Sequence, residues 1–142
     1  MERFLGRYEP YFYALLRIIS GFLFLLHGTQ KFFNFPPMPK GMQSGPLNAL
    51  MTVGATIEVV AGLLILIGLF TSIAAFIASG MMAAAYFMAH QPQGALPTSN
   101  GGDAAVMFCF VFLYMAARGS GVLSVDAARR GDTGATAMGA RT

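Results

Sequence analysis

The chain has 142 residues, 56% hydrophobic and only 11% charged, with a formal net charge of +3. A water-soluble domain carries about a quarter charged residues, so this chain has too little polar surface to cover a water-facing globule. Cys109 is the sole cysteine, which excludes a disulfide framework and intramolecular dithiol chemistry.

Four apolar stretches account for the composition: Tyr11–Phe33, Leu47–Leu69, Ser72–Ala89 and Asp103–Ala117. A bilayer crossing needs about 20 residues, within a range of roughly 17–25. The first three qualify. The fourth reaches that length when Asn100–Gly102 or Arg118 lies at the interface. The expected fold is all-α, a four-transmembrane-helix bundle over residues 1–125 with helices at 11–33, 47–69, 72–89 and 103–118, then a polar tail over 126–142.

Arg3 and Arg7 precede the first apolar run as in a signal peptide, but "HGTQKFFNFPP" follows it instead of a small-x-small cleavage site, so a retained helix is expected. Pro10 suits the first turn, where its missing N–H would be unpaired anyway. "NFPPMPKGMQSGP" ends this helix, because residues before proline are pushed out of the α region. Pro46 is expected to open the second helix. "GLFTS" divides the second from the third, with Gly68 as a C-cap and Thr71 or Ser72 as an N-cap. "HQPQGALPTSNGG" forms the loop before the fourth helix, and "RRGDTGATAMGART" reads as a loosely bound tail. Arg3, Arg7, Arg17, Arg118, Arg129, Arg130 and Arg141 lie toward the two termini, whereas the opposite connections carry only Lys31 and Lys40. Positive residues stay cytoplasmic. Both termini are therefore expected inside, in the inner membrane of a cell, with the loops 34–46 and 91–102 outside.

Small residues mark the faces that pack, since helices in lipid approach one another through glycine, alanine and serine. Gly54, Glu58 and Gly62 share one stripe of the second helix; Gly21 and Gly28 lie on one face of the first. The third helix, small on nearly every side, is the expected central one. Glu58 is thus directed at other helices. His27, Gln30 and Lys31 stand at i, i+3 and i+4 near the outer end of the first helix. His90 ends the third, and Asn100 to Asp103 begin the fourth. All seven side chains fall in the outer half of the membrane and form one candidate site for ligand binding or proton relay.

Each has a plainer reading. Lys31 can snorkel to the surface. His90 can be interfacial, Asn100 a cap, and Asp103 the usual acid at a helix N-terminus. Gln30 can pin two helices together, and Arg17 can meet a lipid phosphate or a carbonyl. Glu58 is hardest to dismiss, because a carboxylate at that depth is costly unless paired or protonated; an ion pair with Lys31 or Arg17 is its structural alternative. His27 and His90 as axial haem ligands is a weakly specific reading in a chain with only two histidines, and haem is not expected. A zinc site from His27, His90, Glu58 and Asp103 is disfavoured by the neighbouring Lys31, so no metal is expected. No phosphate loop and no nucleic-acid surface is visible.

"RIISGFLFLLHGTQKFF", "EVVAGLLILIGLFTSIAA", "MMAAAYFMAH" and "NGGDAA", in this order, resemble the DoxX family of small four-helix membrane proteins. The last motif departs from the family pattern, with Asp103 where glutamate is expected. The resemblance implies an integral membrane protein of bacterial or archaeal type linked to membrane redox chemistry; the family name derives from a thiosulfate:quinone oxidoreductase. It carries over no catalytic residues. Three functions follow as expectations. One is a site for a quinone or lipid-like ligand, with no covalently bound cofactor. Another is a non-catalytic accessory subunit of a larger redox or photosynthetic membrane complex. The third is a small proton-coupled transporter acting as a self-oligomer. The bilayer is the expected partner of each, and nucleic acid of none.

Overall fold

Proline, asparagine and glycine set the helix boundaries. The structure, a computed structural model, describes residues 4–41 and 45–131, and among these every regular element is helical. A 3-10 turn at Gly6–Tyr8 leads into α1 (Glu9–Phe33), with Pro10 in its first turn. Asn34 ends α1 in the left-handed region (φ 51°), its N–H donating to the Gln30 carbonyl. Helix α2 (Ala49–Ile67) begins later than Pro46 suggests: the Asn48 side chain accepts the Met51 N–H at 2.8 Å and caps it. Gly68 closes α2 with φ 73°.

Helix α3 (Thr71–Ala85) starts immediately after, and neither Thr71 nor Ser72 is its N-cap. Phe70 holds that position, and its N–H donates to Asp126 Oδ2 at 2.9 Å. A carboxylate there complements the helix dipole. Thus Asp126 is docked on the bundle and residues 125–131 are helical, unlike the loose tail expected from 126 onward; positions 132–142 lie outside the described residues. The fourth-helix region is a short α4 (Pro97–Asn100) followed by α5 (Asp103–Arg118).

Three segments are long and apolar enough to cross a membrane: Gly6–Phe33, Ala49–Ile67 and Thr71–Gln93. Helix α5, at 16 residues, is about 24 Å long, short of the ~30 Å hydrocarbon thickness. Large apolar side chains such as Ile19, Phe22, Val53, Val60, Ile73 and Phe76 point outward, while alanines Ala74, Ala75 and Ala78 of α3 sit in the core with Phe24, Ile65 and Phe112. Big residues outside and small ones inside is the distribution lipid-facing helices require.

Helix α1 packs on α2, α2 on α3, and α3 on α5. Aromatic rings close the circuit between α5 and α1, with Phe24 and Phe112 at 4.8 Å and Tyr13 and Tyr114 at 5.8 Å. The α1–α2 contact is backbone to backbone. A Cβ built on Gly21 would lie 2.6 Å from the Leu66 nitrogen, and one on Gly62 would lie 2.6 Å from the Leu25 nitrogen. Gly28 meets Val59 and the Ala55 carbonyl just as closely. Only glycine permits these approaches.

The end of the bundle where α1 begins and α5 ends is locked by Arg17, which is fully buried. Its guanidinium donates to the carbonyls of Ile65 (2.8 Å), Leu66 (2.9 Å) and Leu123 (2.7 Å). It ties α1, the C-terminus of α2 and the segment after α5 together, and the positive charge complements the α2 dipole. A carbonyl partner, not a lipid phosphate, satisfies it. Nearby, Arg118 pairs with Glu9 and lies over the Tyr13 ring at 4.2 Å.

Candidate functional site: a cleft at the loop end

At the opposite end of the bundle, the close approach at Gly28 brings α1 and α2 together one turn from Lys31 and Glu58. The Lys31 ammonium is held by both Glu58 oxygens, at 2.7 and 2.8 Å. The Glu58 side chain is 3% exposed and that of Lys31 28%. Glu58 is therefore enclosed, and Lys31 reaches it from a more open position. The pair faces a cleft of about 380 Å³ between α1, α2, α3 and α5. Phe24, Met81, Met82, Ala105 and Phe108 give it mostly apolar walls; His27, Lys31, Glu58 and His90 are its polar groups.

The two histidines are oriented by backbone carbonyls. His27 Nδ1 lies 2.8 Å from the Leu23 carbonyl, one turn earlier in α1, and His90 Nδ1 lies 3.3 Å from the Asn100 carbonyl. A carbonyl only accepts, so Nδ1 bears the hydrogen in both rings and Nε2 is the nitrogen left for a ligand. The His27 ring also meets Phe108 edge-on at 6.1 Å, which fixes its plane against the cleft wall. His90 stacks on Tyr86 at 6.4 Å.

These two residues bound a π-helical turn, Tyr86–His90, in which the Gln91 N–H donates to the Tyr86 carbonyl five residues back. Such turns occur mostly as single inserts and frequently at functional sites. The turn is braced by "NGG". Asn100 is buried, donates to the Gly94 carbonyl (2.9 Å) and to the Tyr86 hydroxyl (3.2 Å), and accepts the Gly102 N–H (2.8 Å). Gly102 leaves no room for a side chain: a Cβ there would lie 2.7 Å from the Tyr86 ring. Asn100 thus holds the rim of the cleft through Tyr86 and His90.

Residues 12–91 match the family model described as DoxX. The chain belongs to the DoxX family. An uncharacterised protein of Haemophilus influenzae is 42% identical over 125 residues, covering 86% of this chain and 93% of the relative. No solved structure matches. The DoxX match runs from α1 through the π turn, and so includes His27, Lys31, Glu58 and His90, while Asn100 and Asp103 lie beyond it. With apolar helices of these lengths, this DoxX protein is a membrane protein.

The remaining candidate residues fall outside the cleft. Gln30 does not line the cleft; it lines a neighbouring depression with Lys31, Asn34, Met38 and Leu47. One residue in α1 rotates about 100°, enough to keep Gln30 out of the cleft that Lys31 reaches. Asp103 is exposed at the first position of α5 and accepts the Ala104 N–H at 3.0 Å, the plain role of an acid at a helix N-terminus. Gly54 lies on the Glu58 stripe but does not make a close helix contact: a Cβ there would meet only Met81 Cε, at 3.7 Å. Among the described residues no group of three metal-ligating side chains gathers. Sequence reasoning missed Tyr86 and the Met81–Met82 wall. Tyr86 stands four residues before His90, one turn away, and that spacing was the available signal.

Proposed function

We propose that this DoxX protein binds a quinone or a similar carbonyl-headed, lipid-like molecule in the loop-end cleft, in the outer half of the inner membrane. In this reading α5 completes a fourth crossing with the help of the Asn100–Gly102 turn, and both termini are cytoplasmic. The observation that carries the reading is the Lys31–Glu58 pair on the wall of a mostly apolar cleft, flanked by two histidines. A quinone needs an apolar slot and N–H groups for its carbonyls. The Lys31 ammonium has three donors and spends two on Glu58, which leaves one for a ligand oxygen. His27 and His90 flank the same space. Membrane redox chemistry and membership of a larger redox assembly belong to this reading as context, not as steps performed by named residues. Proton-coupled transport is less well served, since both Glu58 oxygens are engaged by Lys31.

The test is purification in mild detergent, lipid extraction, and titration with added quinone. Quinone in the extract, or a saturable binding curve with a rise in thermal stability, is expected. Absence of quinone from the extract together with no binding and no thermal shift removes the reading. Native purification bears on the accessory role: a stable stoichiometric complex supports it, and a lone protein or self-oligomer argues against it.

A further inference from the structure

The cleft does not end at Lys31. A second hollow of about 440 Å³ opens between α2 and α3, and it shares Lys31, Met81, Ala85 and Ala89 with the cleft. Its other walls are apolar, among them Leu50, Val53 and Ile57 of α2, Ile77 of α3 and Met88 of the π turn. It continues toward the terminal end as a wholly apolar hollow of about 530 Å³, which shares Ile57 and Ile77 and ends at Leu64 and Phe70. From Leu50 to Leu64 along α2 the run is about 21 Å, some two-thirds of the ~30 Å hydrocarbon thickness. A cleft that carries four polar groups and a long apolar groove therefore meet at one charged side chain.

Gly54 is the second observation. A glycine inside a helix costs about 1 kcal/mol relative to alanine. Gly21, Gly28 and Gly62 are explained by backbone contacts that a Cβ would obstruct, but a Cβ on Gly54 would meet only the flexible end of Met81, at 3.7 Å, and Gly54 lines the hollow beside Lys31. Its missing side chain widens the groove where the groove leaves the cleft.

We infer that the α2–α3 groove holds the hydrocarbon chain of the molecule whose head occupies the cleft, so that one amphiphile runs from His27 and His90 past Lys31 and Gly54 toward Phe70. This rests on the head-group reading above and adds a chain site to it. A slim chain leaves the Lys31 ammonium its access to the loop-end surface. A second copy of the protein seated on the groove would cover that ammonium with apolar surface while its partner Glu58 is already satisfied.

The test uses the full chain in lipid nanodiscs and two probes: a dimethoxy-methyl benzoquinone without a tail, and the same head carrying a long isoprenoid tail. Affinities are expressed per mole of quinone in the lipid phase. In the wild type the tailed probe should bind at least tenfold more tightly. Gly54→Leu should erase that advantage and leave the affinity for the tailless probe within twofold. Ala84→Phe, at an exposed position on the α3 wall of the same hollow, should do the same and serves if Gly54→Leu does not fold. Tailless binding with a tail advantage that survives both substitutions overturns the groove assignment and leaves the head-group reading standing. Binding of neither probe to the wild type removes both. A change in oligomeric mass on Gly54→Leu with the tail advantage intact makes the groove a contact between copies, and the inference fails.

Discussion

Removing either member of the Lys31–Glu58 pair should destabilise the fold, and the two removals should differ. An exposed ion pair contributes about 0–1 kcal/mol, while breaking a buried pair costs about 3–5 kcal/mol because the surviving charge is left uncompensated. The members are not equally buried: the Glu58 side chain is 3% exposed and that of Lys31 28%. Glu58→Gln orphans an ammonium on a long stem near the surface, which can swing toward water, so about 2 kcal/mol is expected, between the two limits. Lys31→Met orphans a carboxylate on a short stem that cannot leave, and should cost the fuller ~3–5 kcal/mol. The double variant removes both charges and should recover part of the loss, a coupling of about 1–3 kcal/mol. Reversible unfolding of the four proteins in one detergent gives the cycle. Additive losses, or a Glu58→Gln loss larger than that of Lys31→Met, would refute the reasoning from burial.

Other substitutions probe the frame that positions the pair. Gly21→Val and Gly62→Val each drive a side chain into backbone and should cost about 1–3 kcal/mol or more, seen as a lowered melting temperature. Gly54→Ala, which would touch only Met81 Cε at 3.7 Å in the same α2 helix that holds Gly62, should be neutral or stabilising by up to about 1 kcal/mol. Arg17→Leu leaves the Leu66 and Leu123 carbonyls without the guanidinium and the Ile65 carbonyl with only the Gly68 N–H, and should cost about 1–3 kcal/mol; hydrogen exchange should rise at residues 119–126 before it rises at the loop end. Asn100→Ala loses three hydrogen bonds, one of them to Tyr86 of the π turn, and should weaken quinone binding more than it lowers stability, measured by titration beside a melting curve.

The first three spans were legible because length, hydropathy and turn chemistry are local. Gly68 and the glycine contacts of α1 with α2 follow from spacing and small size. The α2 start was misread because Pro46 and Asn48 are both good starters, and only the side-chain hydrogen bond to Met51 chooses between them. Gln30 shares a depression with Lys31 but not the cleft, because a helix face is broad, whereas a cleft wall is narrow. The roles of Asp126 at Phe70 and of Arg17 at the α2 carbonyls depend on contacts 56 and 48 residues apart, which periodicity does not encode. Gly54 shared a stripe with Gly62, and stripe position alone does not distinguish a glycine that admits a backbone from one that leaves a space.

Photolabelling tests the central claim most directly. A benzoquinone carrying a photoreactive group on its ring, incorporated into nanodiscs with the full chain, should label a narrow set of peptides: α1 around His27 to Lys31, and α3 to α5 around Met81 to Ala105. Excess unlabelled quinone should abolish the labelling, and Lys31→Met should reduce it several-fold. Labelling spread along the outward-facing residues of all the helices, unaffected by competitor, would contradict a quinone site in the cleft.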